Sequence, residues 1–192
     1  MWALVEEQEI KQILTRPKAL LISDINYPQN IFMLWSSDEL EAIGIYEVVV
    51  DNSNLKDPAY YINSNQTFAF ENDVATASYG QATARPLDNS TDPEGVVTSG
   101  IRPPILATVD QQAYGLLLPS DWMVVKATET GGSVEADWTT YRAAVRTTAA
   151  EMIVKISAVT TVDELAALYV YNNETPPVRP LGEWPQSPNN SV

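Results

Sequence analysis

"LLPSDWMVVKATETGGSVEADWTTYRAAVR", residues 117–146, decides how the second half of this chain is read. It holds two tryptophans, one tyrosine, two arginines and four acids, in a protein with no histidine and no cysteine. Val134, Trp138, Tyr141, Val145, Ala149, Met152 and Ile156 recur at steps of three and four. That is the period of a helix burying one stripe, and it predicts a single helix about six turns long. A shorter helix is expected before it, from Ser120 as N-cap after Pro119 to Thr130, with Gly131-Gly132 as its stop. A third begins at Thr161, whose spacing to Glu164 is a capping box, and carries Leu165, Leu168 and Tyr169.

Toward the N-terminus the pattern changes to short strands. "WALVE" and "EIKQIL" are apolar-rich runs separated at Glu7, which predicts a hairpin. "KALLI", "NIFML" and "IYEVVV" are read as further strands, the last rich in β-branched residues. "AYYINSNQTFAFENDVATASYGQATAR" reads as a meander with turns at Asn63-Ser64-Asn65 and Asn72-Asp73, residue types that tolerate left-handed backbone. One short helix interrupts the sheet. Ser36 and Glu39 have capping-box spacing, Leu40 and Ile43 form its apolar face, and Gly44 stands where it stops.

Residues 85–104 have the Pro, Gly, Ser, Asn and Asp content of a linker. After Asn172 five prolines forbid helix and predict an extended arm. The expected organisation is α+β. A mostly antiparallel β-domain with one short helix spans 1–84, a linker 85–104, a helical domain 105–172 and a proline-rich arm 173–192. No repeat of fixed period points to a solenoid or propeller.

Composition narrows the function. With 25 acids against 11 basic residues the formal charge is −14, a field that repels phosphate backbones and anionic lipid. No stripe of lysine or arginine offers a local nucleic-acid site. The apolar runs are too short to cross a bilayer, and the acidic start after Met1 does not read as a signal peptide. The expected chain is soluble, with neither nucleic acid nor membrane as partner. Lack of histidine removes the commonest general base and transition-metal ligand, and lack of cysteine removes thiolate chemistry. No nucleophile-elbow, phosphate-loop, dinucleotide or zinc-protease pattern is present.

Trp138 and Tyr141 lie on the helical stripe and are expected in the core. Arg142 and Arg146, four apart, flank it. They are expected to pair with Asp121 or Glu129 of the preceding helix, or to lie over a tryptophan face. The acidic loops 51–57 and 88–95 carry oxygen ligands, but neither has calcium-loop spacing, and their residues are ordinary turn formers. Paired carboxylates suffice for glycoside cleavage, yet 25 acids make such pairs by chance. Tyrosines of the meander could stack on sugars, although strand alternation puts half of them in a core. Trp184 inside the proline arm is the residue hardest to assign to internal packing. With Pro177 and Arg179 it is expected to dock on a neighbouring subunit.

Ser120, Asp121, Trp122, Tyr141, Arg142 and Arg146 resemble the C-terminal module of tailed-bacteriophage tail-fibre assembly and tail-associated proteins. There a Leu-rich helix ends in Ser-Asp-Trp and is followed by a Tyr-Arg…Arg helix. "MWALVEEQEIKQI" and "NIFMLWSSDELEAIGIYEVV" resemble small N-terminal domains joined to that module in phage of aquatic bacteria. The resemblance touches about half of the chain. It implies a virion component or assembly factor of tail, fibre or baseplate, made in the host cytoplasm, without catalytic residues, cofactor or metal. Its partners would be other virion proteins, as a homo-oligomer or part of a larger assembly. The chain departs from the compact assembly proteins by continuing more than forty residues past Arg146 and by adding the arm. Those additions favour a permanent part over a transient chaperone. A carbohydrate-binding or glycan-cleaving module is the alternative from another class.

Overall fold

A computed structural model describes residues 1–188. The chain is α+β and divides into two compact units, Met1–Thr83 and Ala84 onward. In the first, β1 (Trp2–Glu6) and β2 (Glu9–Leu14) form the expected hairpin, turning through Glu7 and Gln8 in left-handed conformation. The β3 (Leu20–Ile22) and β4 (Ile25–Tyr27) hairpin turns the same way through Ser23 and Asp24. Helices α1 (Ile31–Leu34) and α2 (Ser37–Glu41) follow, then β5 (Ile45–Asp51), β6 (Tyr61–Ile62), β7 (Gln66–Glu71), β8 (Val74–Tyr79) and β9 (Thr83–Ala84). The main sheet has the order β2-β1-β5-β8-β7. Its neighbours are antiparallel except β5 and β8, which run parallel.

This sheet curls until its outer strands β2 and β7 meet. Small side chains permit the curl. Ala3, Ala75 and Ala77 are wholly buried on the inner face beside Val5 and Val48, and Ile10, Ile13, Tyr46 and Phe70 close over them. The Tyr46 and Phe70 rings stand 4.6 Å apart. Strand alternation sends Trp2 and Leu4 to the opposite face. There Leu4, Leu14 and Ile45 pack against Leu20, Ile22, Ile31 and Leu40. Trp2 meets Phe32 at 4.8 Å, and Tyr27 meets Trp35 edge-on at 5.9 Å.

"NIFML", expected as a strand, is instead α1. A short apolar run carries no period that separates strand from helix, and here Ile31 and Phe32 both turn to the same core. The α2 expectation holds in detail. Ser36 Oγ accepts from the Glu39 N–H at 3.3 Å, and the Ser36 N–H donates to Glu39 Oε2 at 2.8 Å. The second bond holds the Glu39 carboxyl below its ordinary value. Asn72 and Asp73 adopt the left-handed turn, whereas Asn63 works through its side chain, spanning the Lys56 backbone at 2.9 and 2.7 Å.

In the second unit, β10 (Ser90–Thr91) and β11 (Val97–Thr98) pair antiparallel, and α3 (Arg102–Leu117) begins directly after. The expected linker is therefore folded structure. Gly100 lies so close to Asp88 that a Cβ would sit 2.3 Å from its backbone carbon. The Ile101 and Arg102 N–H groups bond back to Pro86 and Leu87. Arg102 Nη1 donates to Ser157 O at 3.4 Å and Nη2 to Val159 O at 2.5 Å. Turn-forming composition served a hairpin here rather than a tether. Prolines 103 and 104 sit in the first turn of α3, where a missing N–H costs nothing.

A single 3₁₀ turn (Leu118–Ser120) joins α3 to α4 (Asp121–Thr130), which ends on left-handed Gly131. Helix α5 (Ala136–Ala158) packs against α3, and α6 (Val162–Ala167) opens with the expected Thr161–Glu164 capping box. The residues α5 buries are Trp138, Tyr141, Arg142, Val145, Ala149, Met152 and Ile156. That is the expected stripe with Arg142 added; Val134 lies just before the helix, half-buried.

Gly44 offers a direct check of the first unit. Its φ is +82°, and an added Cβ would stand 2.5 Å from the Val5 carbonyl oxygen. The Val5 N–H in turn donates to Gly44 O at 2.8 Å. Gly44→Ala is expected to destabilise the chain by about 2 kcal/mol or more, read as a lowered urea midpoint at unchanged slope. An unshifted midpoint would show that the α2–β5 corner is not held as described.

Candidate functional site

Helix α5 places Trp138, Tyr141, Arg142 and Val145 on one face by its three-and-four period. Among the described residues Arg142 is the only charged one that is buried, and three groups receive its guanidinium. Nη1 donates to Leu117 O at 3.0 Å and Ser120 Oγ at 2.6 Å, and Nη2 to Asp121 Oδ1 at 2.8 Å. Leu117 O is one of the carbonyls that the end of α3 leaves without a helical partner. Asp121 is the first residue of α4, where a carboxylate also favours the helix dipole. One cation thus ties the end of one helix to the start of the next.

Ser120 is wholly buried and is not the side-chain cap expected of it. Its backbone has ψ near zero, and its hydroxyl donates to Leu117 O at 2.9 Å while accepting from Arg142. The demand of Arg142 for a second acceptor takes the oxygen a cap would have used. Trp138 and Tyr141 meet edge-on at 5.7 Å within the core, as expected.

The other members of the motif point outward. Trp122 is 57% exposed, with Lys126 Nζ 5.7 Å from its ring centre. Arg146 is exposed; its Nη1 reaches only Arg142 O at 3.5 Å, and it makes no ion pair among the described residues. The expected pairing with Asp121 belongs to Arg142 alone. The cleft beside Trp122 is lined by Lys126, Thr130, Val134 and Glu135 and contains one aromatic ring.

The arm is without regular helix or strand through Ser187, but it is docked on its own chain. The Trp184 indole packs with Trp138, Tyr141 and Val145 beside Ala113, Leu116 and Leu117, and Nε1 donates to Gln112 Oε1 at 3.0 Å. Leu181 is buried, its N–H bonded to Leu168 O at 3.0 Å. Lys155 Nζ donates to Pro180 O at 2.8 Å and Leu181 O at 3.2 Å. Arg179 pairs with Glu183 at 2.9 Å and lies 5.7 and 5.5 Å from the rings of Tyr169 and Tyr171. Pro177 is exposed. Within one chain, then, Trp184 is a core cover rather than the free anchor expected, because the α3–α5 face offers an apolar seat with an acceptor for its N–H.

Gln112, Lys155, Leu168 and Leu181 were absent from the sequence reading of the site. The spacing of Leu181 and Trp184, three apart among prolines, is the signal that could have marked a docked segment. Gln112 carries none, since the helix ahead of Ser120 was implied only by the resemblance, with no face assigned to it. In the acidic loops the carboxylates close turns. Asp51, Asp57 and Asp92 accept from the N–H groups of Ser53, Ala59 and Val96 at 2.8–2.9 Å. The Ser53 bond holds the Asp51 carboxyl below its ordinary value.

No family model, curated protein or solved structure matches the chain.

The two arginines of the motif are expected to behave oppositely. Arg142→Ala leaves the buried Ser120 hydroxyl without its donor and Asp121 without its ion pair, and is expected to cost about 2–4 kcal/mol in denaturant melts. Arg146→Ala, at an exposed position, is expected within about 0.5 kcal/mol of the parent. Equal losses would remove the distinction drawn between them.

Proposed function

We propose that the chain is a structural or adaptor component of a phage tail, fibre or baseplate, working by docking surfaces on other virion proteins. The observation that carries this is the arginine clamp. Ser120, Asp121, Tyr141 and Arg142, four of the six residues of the tail-associated motif, join in or pack beside one buried junction that fixes two helices. Trp122, the residue between them in sequence, faces solvent. Tyr114, Leu118 and Val125 are also exposed on the same run of helix, at steps of four, four and three with Trp122. A rigid helical ridge with outward apolar side chains is suited to contact rather than chemistry. In this proposal the chain is made in the host cytoplasm and ends in the tail. No helix among the described residues is long and apolar enough to cross a membrane.

Peptide mass spectrometry on purified mature particles of the encoding phage, quantified against the capsid protein, tests this. A fixed stoichiometry is expected. Absence from particles, with abundance in infected-cell lysate, would overturn it in favour of an assembly chaperone.

A further inference from the structure

Among the described residues the two most exposed large apolar side chains stand next to each other. Met33 and Leu34 are each 72% exposed, at the outer end of α1 in the first unit. A helical turn on a protein surface ordinarily turns polar side chains to water and apolar ones to the core. Here Ile31 and Phe32 take the core side, and the outward positions are filled by methionine and leucine rather than by polar residues.

The turn that carries the pair is held at both ends. Ile31 is 3% exposed, and the Phe32 ring lies 4.8 Å from that of Trp2. Trp35, the next residue after the pair, meets Tyr27 edge-on at 5.9 Å, and its N–H donates to Ile31 O at 2.9 Å. The capping box of Ser36 and Glu39 then starts α2 without an intervening loop. Met33 and Leu34 are therefore presented in one place, which lowers the ordering cost of binding. The unbranched thioether of methionine adapts to the shape it meets.

Charge states what kind of surface fits this pair. From Ala19 to Leu55 the sequence has six acids, Asp24, Asp38, Glu39, Glu41, Glu47 and Asp51, and no lysine or arginine. Asp38 and Glu41 are exposed on α2 and make no ion pair among the described residues. We infer that Met33 and Leu34 anchor a docking surface for a protein partner that offers an apolar socket rimmed by lysine or arginine. The acidic flank argues against two other occupants. Surfaces that insert apolar side chains into a membrane carry basic residues at the rim, and a second copy would set the same acids against these. The inference rests on the docking function proposed above and names the chemistry of one partner.

The test is fluorescence anisotropy of a labelled amphipathic helical peptide made only of leucine and lysine, titrated with the full chain. A peptide of leucine and glutamate is its counterpart. The lysine peptide is expected to bind saturably, and more weakly as salt rises; the glutamate peptide is expected not to bind. Met33→Ser with Leu34→Ser is expected to weaken binding about tenfold or more, at unchanged circular dichroism. Should that chain not fold, Leu34→Lys takes its place and sets a cation against the cationic rim. Asp38→Asn with Glu41→Gln is expected to flatten the salt dependence, and Trp122→Ser, in the other unit, to leave binding as in the parent. No binding of the lysine peptide, or binding that ignores the Met33 and Leu34 substitutions and follows net charge alone, overturns the inference. Loss at Trp122→Ser equal to that at Met33 and Leu34 overturns it too. Binding of the parent to vesicles of neutral phosphatidylcholine, lost on the same two substitutions, overturns it in favour of a membrane. A dimer that grows with salt in sedimentation and is lost on them overturns it in favour of a second copy. These results are read on the purified chain, so they are separate from its presence in particles, which the mass spectrometry reads.

Discussion

The buried guanidinium of Arg142 is the interaction on which the helical unit depends. A charge placed inside an apolar helix packing is costly unless each face of the group is met by an acceptor. Here the carbonyl closing α3, the Ser120 hydroxyl and the Asp121 carboxylate meet it within 3.0 Å. Those acceptors, on Leu117, Ser120 and Asp121, are brought together by the 3₁₀ turn between the two helices. The same turn explains the orientation of its neighbours. Ser120 and Asp121 are drawn in, and the helical step that follows leaves Trp122 outside.

The first unit solves a different problem, the closure of a small curled sheet. Three alanines with no exposed surface let the strands bend toward one another, and larger residues at the strand ends fill the remaining space. The opposite face is covered by the β3–β4 hairpin and the two short helices, whose corner is set by Gly44. Side-chain size on one face and backbone freedom at one position thus decide how the strands sit.

Legibility in the sequence followed the strength of local signals. The α5 stripe was readable residue by residue because 23 positions repeat one period. Both capping boxes were readable because the side chain and backbone groups lie within one turn of each other. The sheet was readable as strands, but the parallel β5–β8 pairing and the curl depend on contacts far apart in sequence. Helix α3 was implied only by the resemblance and not by its own pattern, because it buries only Val109 fully and starts at two prolines, which also mark linkers. At the site, Trp138 and Tyr141 were foreseen in the core, and Asp121 was one of the partners named for Arg142 or Arg146. Ser120 stands at the N-cap position foreseen for it, but its hydroxyl accepts from Arg142 instead of capping the helix. Trp184 was recognised as an anchor but assigned to a neighbouring subunit, as an extended segment carries no period to say that it returns to its own chain.

The arm and the clamp share one structural element. The Trp184 seat is built on α3 and α5, and the clamp sets how the end of α3 meets α4 against α5. Loosening Arg142 is therefore felt first at residues 117–124 rather than along the whole of α5. Native-state hydrogen exchange on Arg142→Lys examines this most directly, because lysine keeps the charge but offers no planar fork for three acceptors. The account predicts lost protection confined to amides 117–124, with the centre of α5 from Val145 to Ile156 retained. Protection unchanged throughout, or lost evenly across the helical unit, would contradict it.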